Sequence, residues 1–113
     1  MFDLYLLTGA TGFLGRTIMK NLVDNKQKVR VLAVPNDPLM SSIPDEVEIH
    51  TGYIDHINTI ESFFTELPER VCLIHCAGIV SIYSKYDKRI ESVNVDGTRN
   101  ILNQAYLHHI FVK

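Results

Sequence analysis

At 113 residues the chain is long enough for one core and too short for a binding domain plus a separate substrate domain. It is 46% hydrophobic and 21% charged, and no apolar run approaches the roughly eighteen residues of a membrane span, which excludes a disordered tail and a transmembrane helix. Eleven basic and thirteen acidic residues leave a formal charge of -2, so neither nucleic acid nor an anionic membrane is indicated as a partner.

The first apolar segment, 2–8, reads as a strand. Asp3 precedes Leu4–Leu7, no basic region stands before it and a glycine turn follows it, so it lacks the build of a signal peptide and a cytoplasmic location is expected. Leu14, Ile18 and Leu22, with Met19 and Val23 beside them, predict a helix over 13–25 that lays an apolar stripe on the sheet. A second strand follows over 28–34 and ends at Pro35-Asn36-Asp37-Pro38, where proline supplies no ladder donor. Residues 38–45 read as loop or a brief helical turn, and 46–54 as a third strand.

Asp55 is placed to cap a helix over 56–67, with Ile57, Ile60, Phe63, Phe64 and Leu67 as its apolar face and Pro68 as its stop. A fourth strand spans 70–77, where Cys72 and Cys76 share one face as packed thiols and His75 points to the other. Gly78 to Lys85 is expected as loop, 86–108 as a long helix, and 109–113 as the opening of a fifth strand. Short strands rich in Val, Ile and Leu suit a sheet buried on both faces, and their alternation with helices predicts right-handed parallel βαβ units. The expected fold is α/β: a Rossmann-type, doubly wound parallel sheet of order 3-2-1-4, with three α/β/α layers.

Tyr5-Leu6-Leu7 leads straight into Thr8-Gly9-Ala10-Thr11-Gly12-Phe13-Leu14-Gly15, so a glycine turn stands between a strand and a helix. Gly9 permits the tight turn, Gly12 lets the backbone approach a diphosphate, and Gly15 lets the helix pack closely on the strand. The free amides at the helix start face the anion, with Arg16 beside them. The G-x-x-G-x-x-G spacing and the lack of a following Lys-Ser or Lys-Thr exclude a Walker-type triphosphate loop.

This motif resembles the first motif of the extended short-chain dehydrogenases/reductases, the class of NAD-dependent epimerases, dehydratases and dihydroflavonol reductases. Two later stretches extend the resemblance over essentially the whole chain. His75-Cys76-Ala77-Gly78 is similar to the family's strand-four motif, and Asn94-Val95-Asp96-Gly97-Thr98-Arg99-Asn100 to its Asn-Val-x-Gly-Thr helix. His-x-Ala-Gly-Ile-Val is in particular similar to the dihydroflavonol-reductase-like branch. The resemblance implies an NAD or NADP cofactor, with Ala77 and Gly78 beside its adenosine half and Asn94 as a structural and proton-relay residue.

Cofactor choice in such folds sits just after strand two, where an acid meets the ribose of NAD or an arginine the extra phosphate of NADP. The resemblance puts the acid at Ala33 and the arginine at Val34, and neither residue is of that kind. Asp37, twenty-two residues after Gly15, reads as an exposed turn aspartate that reaches a ribose if the Pro35 turn folds back. In Gly52-Tyr53-Ile54-Asp55 the family's adenine-contacting aspartate is replaced by Tyr53, read here as a packing residue, with Ile54 beside it retained among the cofactor contacts.

Hydride transfer in the resembling family uses a serine or threonine, a tyrosine, and a lysine four residues on, whose charge lowers the phenol from its reference pKa of about 10. None of Tyr5, Tyr53, Tyr83, Tyr86 or Tyr106 has that lysine, so no catalytic residue of this kind is present and the chain is expected to stop before the catalytic segment of its parent. No metal-ligand spacing or nucleophile elbow is found either. The function expected is the NAD(P)-binding portion of an oxidoreductase or epimerase acting on a small-molecule carbonyl or alcohol. The alternative is a non-catalytic dinucleotide sensor, and either leaves room for a homo-oligomer.

Overall fold

The computed structural model describes residues 2–77 and 88–112. Leu4–Thr8 (β1), Val29–Ala33 (β2), Glu48–Thr51 (β3), Val71–His75 (β4) and Phe111–Val112 (β5) form one wholly parallel sheet of order β3-β2-β1-β4-β5. The predicted order holds, and the expected fifth strand joins it by pairing Cys72 with Phe111 and Leu73 with Val112. β1 lies at the centre, with Leu4 to Thr8 in register with Val71 to His75 on one side and Tyr5 to Thr8 with Val29 to Leu32 on the other.

Alternation along the strands divides the core into two layers. Leu4, Leu6, Leu32, Val71 and Leu73 face Phe63, Phe64, Ile101 and Ala105 on one side. Leu7, Val29 and Val31 face Ala10, Met19, Ile43 and Val47 on the other. Each fully buried Leu, Ile or Phe contributes about 1.5–3 kcal/mol of transfer free energy. Cys72 is buried and Cys76 packs on the second layer, while His75 points into the opposite one, as the strand periodicity predicts. β3 departs from the expectation of two-sided burial: three of its four residues are exposed, because it is the sheet edge.

The first helix, Phe13–Asp24 (α1), occurs where predicted but is rotated. Gly15 and Met19 form its buried face, flanked by Ile18, Leu22 and Val23, whereas Leu14 is 61% exposed. The close approach permitted at Gly15 turns that side of the helix to the sheet and carries Leu14 outward.

The helix predicted over 56–67 does not form. Two short 3-10 turns, Ile57–Thr59 and Glu61–Phe64, replace it. Hydroxyls there reinforce the short turns: Thr59 Oγ1 bonds the carbonyls of Tyr53 and His56, and Thr65 Oγ1 that of Ser62, alongside the i-to-i+3 backbone bonds of Thr59 and Thr65. Asp55 is not its cap, since its carboxylate accepts from Ser92 and lies against His56. The helix predicted over 86–108 is present but divided into Lys88–Glu91 (α2), a π-helical stretch Ser92–Gly97 and Thr98–Leu107 (α3). Its first two residues and the loop expected over 78–85 lie outside the described residues. A Cβ on Gly97 would fall 2.5 Å from Ile54 Cγ1, so this wound-out turn lies directly on Ile54, where Asn100 Nδ2 also donates to the Ile54 carbonyl.

Arg30 is the one buried charge on the inner layers among the described residues. Its Nη1 donates to the carbonyls of Phe63 (3.0 Å) and Thr65 (2.7 Å), and its Nε lies 3.0 Å from Glu48 Oε2. The guanidinium thus ties the 3-10 segment to the sheet and supplies donors that the missing helix leaves unmet. Arg30→Met keeps the aliphatic stem and removes those donors, and it is expected to lower stability by about 2–3 kcal/mol, read as a lower urea midpoint at unchanged slope.

Candidate functional site

The carboxyl ends of β1, β2 and β4 open onto a cavity of about 460 Å³. Its floor is the β1–α1 turn, Gly9 to Gly12, and its walls are Leu32 to Val34, Asp37, Gly52 to His56, Cys76, Ala77 and Val93. This is the position at which open parallel sheets take ligands, where crossovers leave to opposite faces and the strand order reverses. The volume lies in the range of small-molecule sites.

Two glycines shape the floor. Gly9 has φ of +74°, and a Cβ there would lie 2.6 Å from the Cys76 carbonyl carbon, so the turn rests on the Cys76–Ala77 peptide. A Cβ on Gly15 would fall 1.9 Å from the Gly9 carbonyl oxygen. Gly12 differs: it precedes α1 with φ of −78°, and a Cβ there meets nothing closer than 3.4 Å. Its side is open, and the first-turn amides of α1, which have no acceptor within the helix, lie next to it.

Asp37 folds back as the turn chemistry of Pro35-Asn36 requires. Asn36 takes φ of +64°, and the Asp37 amide donates to the Val34 carbonyl. Its carboxylate accepts from Thr11 Oγ1 at 2.7 Å and from the Leu39 amide at 2.9 Å. Asp37 therefore joins the glycine turn to the end of β2. The second carboxylate of the wall, Asp55, is pushed up by desolvation, but hydrogen bonds from Ser92 and His56 outweigh this and hold it below the usual carboxylate range. Tyr53 is 44% exposed and stands edge-on to His56, with its backbone pinned by Thr59.

Beneath the floor lies a buried hydrogen-bond set. Thr8 Oγ1 accepts from the amides of Cys76 and Ala77, both at 3.1 Å, and lies 2.6 Å from His75 Nδ1. His75 Nε2 lies 3.0 Å from Thr98 Oγ1 on α3. Burial lowers the His75 pKa below the ordinary imidazole value.

Of the residues singled out in the sequence, Gly9, Thr11, Gly12, Asp37, Ile54 and Ala77 line one cavity. Thr8 and Gly15 are buried behind it and support it, and Phe13, Leu14 and Arg16 sit exposed on the first turn of α1, away from the lining. Asn94 lies half-buried in the π-helical stretch, where its neighbour Val93 reaches the cavity wall. Gly78 lies outside the described residues. Sequence reasoning missed Asp55, His56 and Val93 in the lining; it met Val34 only as the position of an absent arginine, and Thr98 only as part of a motif. For the three that were missed, only the adjacency of Asp55 to the strand end was a signal.

The two helix-side glycines separate by substitution. Gly15→Ala is expected to cost about 3 kcal/mol or more through the clash with the Gly9 carbonyl, and Gly12→Ala less than about 1 kcal/mol. Thermal melting of the two variants checks this.

Comparison with known proteins agrees with this geometry. Residues 6–112 match the family model described as the 3-beta hydroxysteroid dehydrogenase/isomerase family. A 3 beta-hydroxysteroid dehydrogenase/Delta 5-->4-isomerase of Monkeypox virus is 36% identical over 101 residues, covering 87% of this chain and 29% of the viral protein. The 3 beta-hydroxysteroid dehydrogenase type 7 of Mus musculus is 32% identical over 107 residues, covering 88% of this chain and 28% of its own length. The chain therefore spans under a third of these relatives. Among solved structures, a UDP-glucose 4-epimerase of Thermus thermophilus in complex with NAD superposes with a TM-score of 0.82 at 24% identity, over 94% of this chain and 34% of the epimerase. With the glycine turn, the parallel sheet and the family match over nearly every residue in agreement, the chain belongs to the 3-beta hydroxysteroid dehydrogenase/isomerase family, within the extended short-chain dehydrogenases/reductases.

Proposed function

We propose that this chain is the dinucleotide-binding portion of an NAD(P)-dependent oxidoreductase or epimerase, whose full-length parent transfers hydride at a carbonyl or hydroxyl carbon of a small molecule. One observation carries the reading: the open side of Gly12 and the first-turn amides of α1 meet a cavity at the carboxyl ends of the strands. A diphosphate fits against Gly9 to Gly12, with Thr8 and Gly15 as supports and the first-turn amides of Phe13, Leu14 and Gly15 as donors. Ile54 and Ala77 flank the adenosine, the family resemblance adds Gly78 to that side, and Arg16 at the helix start adds positive charge. Asn94 serves as a structural and proton-relay residue.

NAD rather than NADP is the expected cofactor. The charged wall residues are Asp37 and Asp55, and no Lys or Arg lines the cavity among the described residues. Asp37 is held so that a ribose hydroxyl can donate to it, and a 2′-phosphate would face two carboxylates.

Chemistry belongs to the parent. These 113 residues contain no Tyr-x-x-x-Lys, and in this reading the serine, tyrosine and lysine of hydride transfer come from the parent protein rather than from this chain. His-x-Ala-Gly-Ile-Val supports a carbonyl-reducing branch similar to the dihydroflavonol reductases. A cytoplasmic setting goes with this reading, and no helix among the described residues is long and apolar enough to cross a membrane. Exposed Leu102, Tyr106 and Leu107 on α3 are compatible with a homo-oligomer.

Calorimetry tests the site. The chain is expected to bind NAD, and Gly12→Val to weaken binding at least about tenfold while leaving the melting temperature nearly unchanged. Asp37→Asn keeps an acceptor and loses the charge, and should bring NADP within about tenfold of NAD from an initial preference of about a hundredfold. Absence of binding to either dinucleotide would reject the reading.

A further inference from the structure

Hydrogen-bond capacity fixes the state of His75. A hydroxyl has two lone pairs and one proton, and Thr8 Oγ1 accepts from the Ala77 amide and from the Cys76 amide, which also donates to the Thr8 carbonyl. Its proton therefore goes to His75 Nδ1, which must be unprotonated, and Nε2 carries the hydrogen that is donated to Thr98 Oγ1. The imidazole is thus neutral, in one tautomer, and links the strand below the glycine turn to α3.

A second proton on this ring has no acceptor. Nδ1–H would point at an oxygen whose lone pairs are already filled, so either the Cys76 amide must pass wholly to the Thr8 carbonyl or the Ala77 amide must let go. Those two residues form a wall of the cavity, and Gly9 rests on the peptide between them. We propose that His75 is a positioning residue that couples the glycine turn to the π-helical and α3 segment, so that dinucleotide affinity falls when its imidazole takes a second proton. The proposal rests on the dinucleotide reading of the cavity and adds to it a pH-dependent support beneath the floor.

Among the described residues, the hydrogen-bond partners of the ring are the two threonine hydroxyls. β1 presents Thr8 to the ring and no ionisable side chain, and α3 presents Thr98, while the neighbouring Arg99 is exposed and pairs with Asp96. On β4 the adjacent Cys76 faces the other layer, and burial pushes its thiol up, away from the acid range. Asp55 accepts from Ser92 and titrates below the usual carboxylate range, and Asp37 accepts from Thr11 and Leu39. Desolvation alone lowers His75. His56 also lines the cavity, which makes variants at position 75 the necessary comparison.

Sign follows from the lowered value. Above the ordinary imidazole pKa of about 6.5 the neutral ring keeps the network, and as pH falls below it protonation favours any state that releases the ring. By reciprocity, a dinucleotide that favours the intact wall must lower the His75 pKa further.

Two measurements on the native chain test this. Nitrogen-15 imidazole spectra at pH 8 are expected to show His75 protonated at Nε2 and bare at Nδ1, and its titration to move to lower pH when NAD is added. The NAD dissociation constant is expected to rise about tenfold between pH 7.5 and pH 5, the worth of one hydrogen bond. Variants divide the link: His75→Asn places an acceptor near Nδ1 and keeps the Thr8 end, and His75→Gln places a donor near Nε2 and keeps the Thr98 end. Both should flatten the profile.

An Nδ1–H tautomer, a titration unmoved by NAD, or the same pH profile in His75→Asn as in the native chain would each overturn the proposal. The spectra need no variant, so misfolding of both substitutions leaves the first two outcomes decisive. If NAD fails to bind at pH 8, the dinucleotide reading itself falls and the coupling with it, whereas NAD binding with a flat profile removes only the coupling.

Discussion

Everything at this site depends on how closely backbone can approach backbone around β1. Gly9 rests on the Cys76–Ala77 peptide and Gly15 rests on the Gly9 carbonyl, at separations that leave no volume for a single methyl group. Those contacts set the angle at which α1 leaves the sheet, and that angle decides which helix residues are buried. They also bring the amides at the helix start over the ends of β1 and β4. A cradle made of backbone recognises charge and shape, not a particular substrate, which is why one such floor serves dehydrogenases and epimerases alike.

The periodic parts of the fold were legible from residue order. Runs such as Val29-Arg30-Val31-Leu32-Ala33 and Val71-Cys72-Leu73-Ile74-His75 are strands on pattern alone, and the glycine turn named its own context. What escaped was decided by side-chain hydrogen bonds reaching far along the chain. Residues 56–67 carry a helical apolar pattern, yet Thr59 and Thr65 hydroxyls reinforce i-to-i+3 turns there, and a guanidinium from β2 bonds the carbonyls of Phe63 and Thr65. Periodicity sees the apolar face and is blind to an arginine thirty-three residues away.

The candidate site divides in the same manner. Gly9, Gly12 and Asp37 were readable because backbone geometry and turn chemistry single them out locally. Leu14 was not, because its fate follows from the rotation that Gly15 imposes on α1. The Thr8–His75–Thr98 set was invisible in sequence, since its members sit in three motifs and meet only when β1, β4 and α3 are assembled. Each of those motifs has a bland local explanation, and their meeting gives the floor its support.

The central place of β1 has a bearing on how the chain is made. Leu4 finds its partner at Val71, sixty-seven residues later, so the first of the five strands to leave the ribosome is among the last to have both neighbours. At roughly 5–20 residues per second, translation leaves Leu4, Leu6 and Leu7 without that flank for several seconds. Parallel pairing adds to the delay, because no hairpin can bring the strands together early. During this interval the nascent chain presents a leucine-rich edge with an open ladder on one side, the kind of segment that holdase chaperones bind.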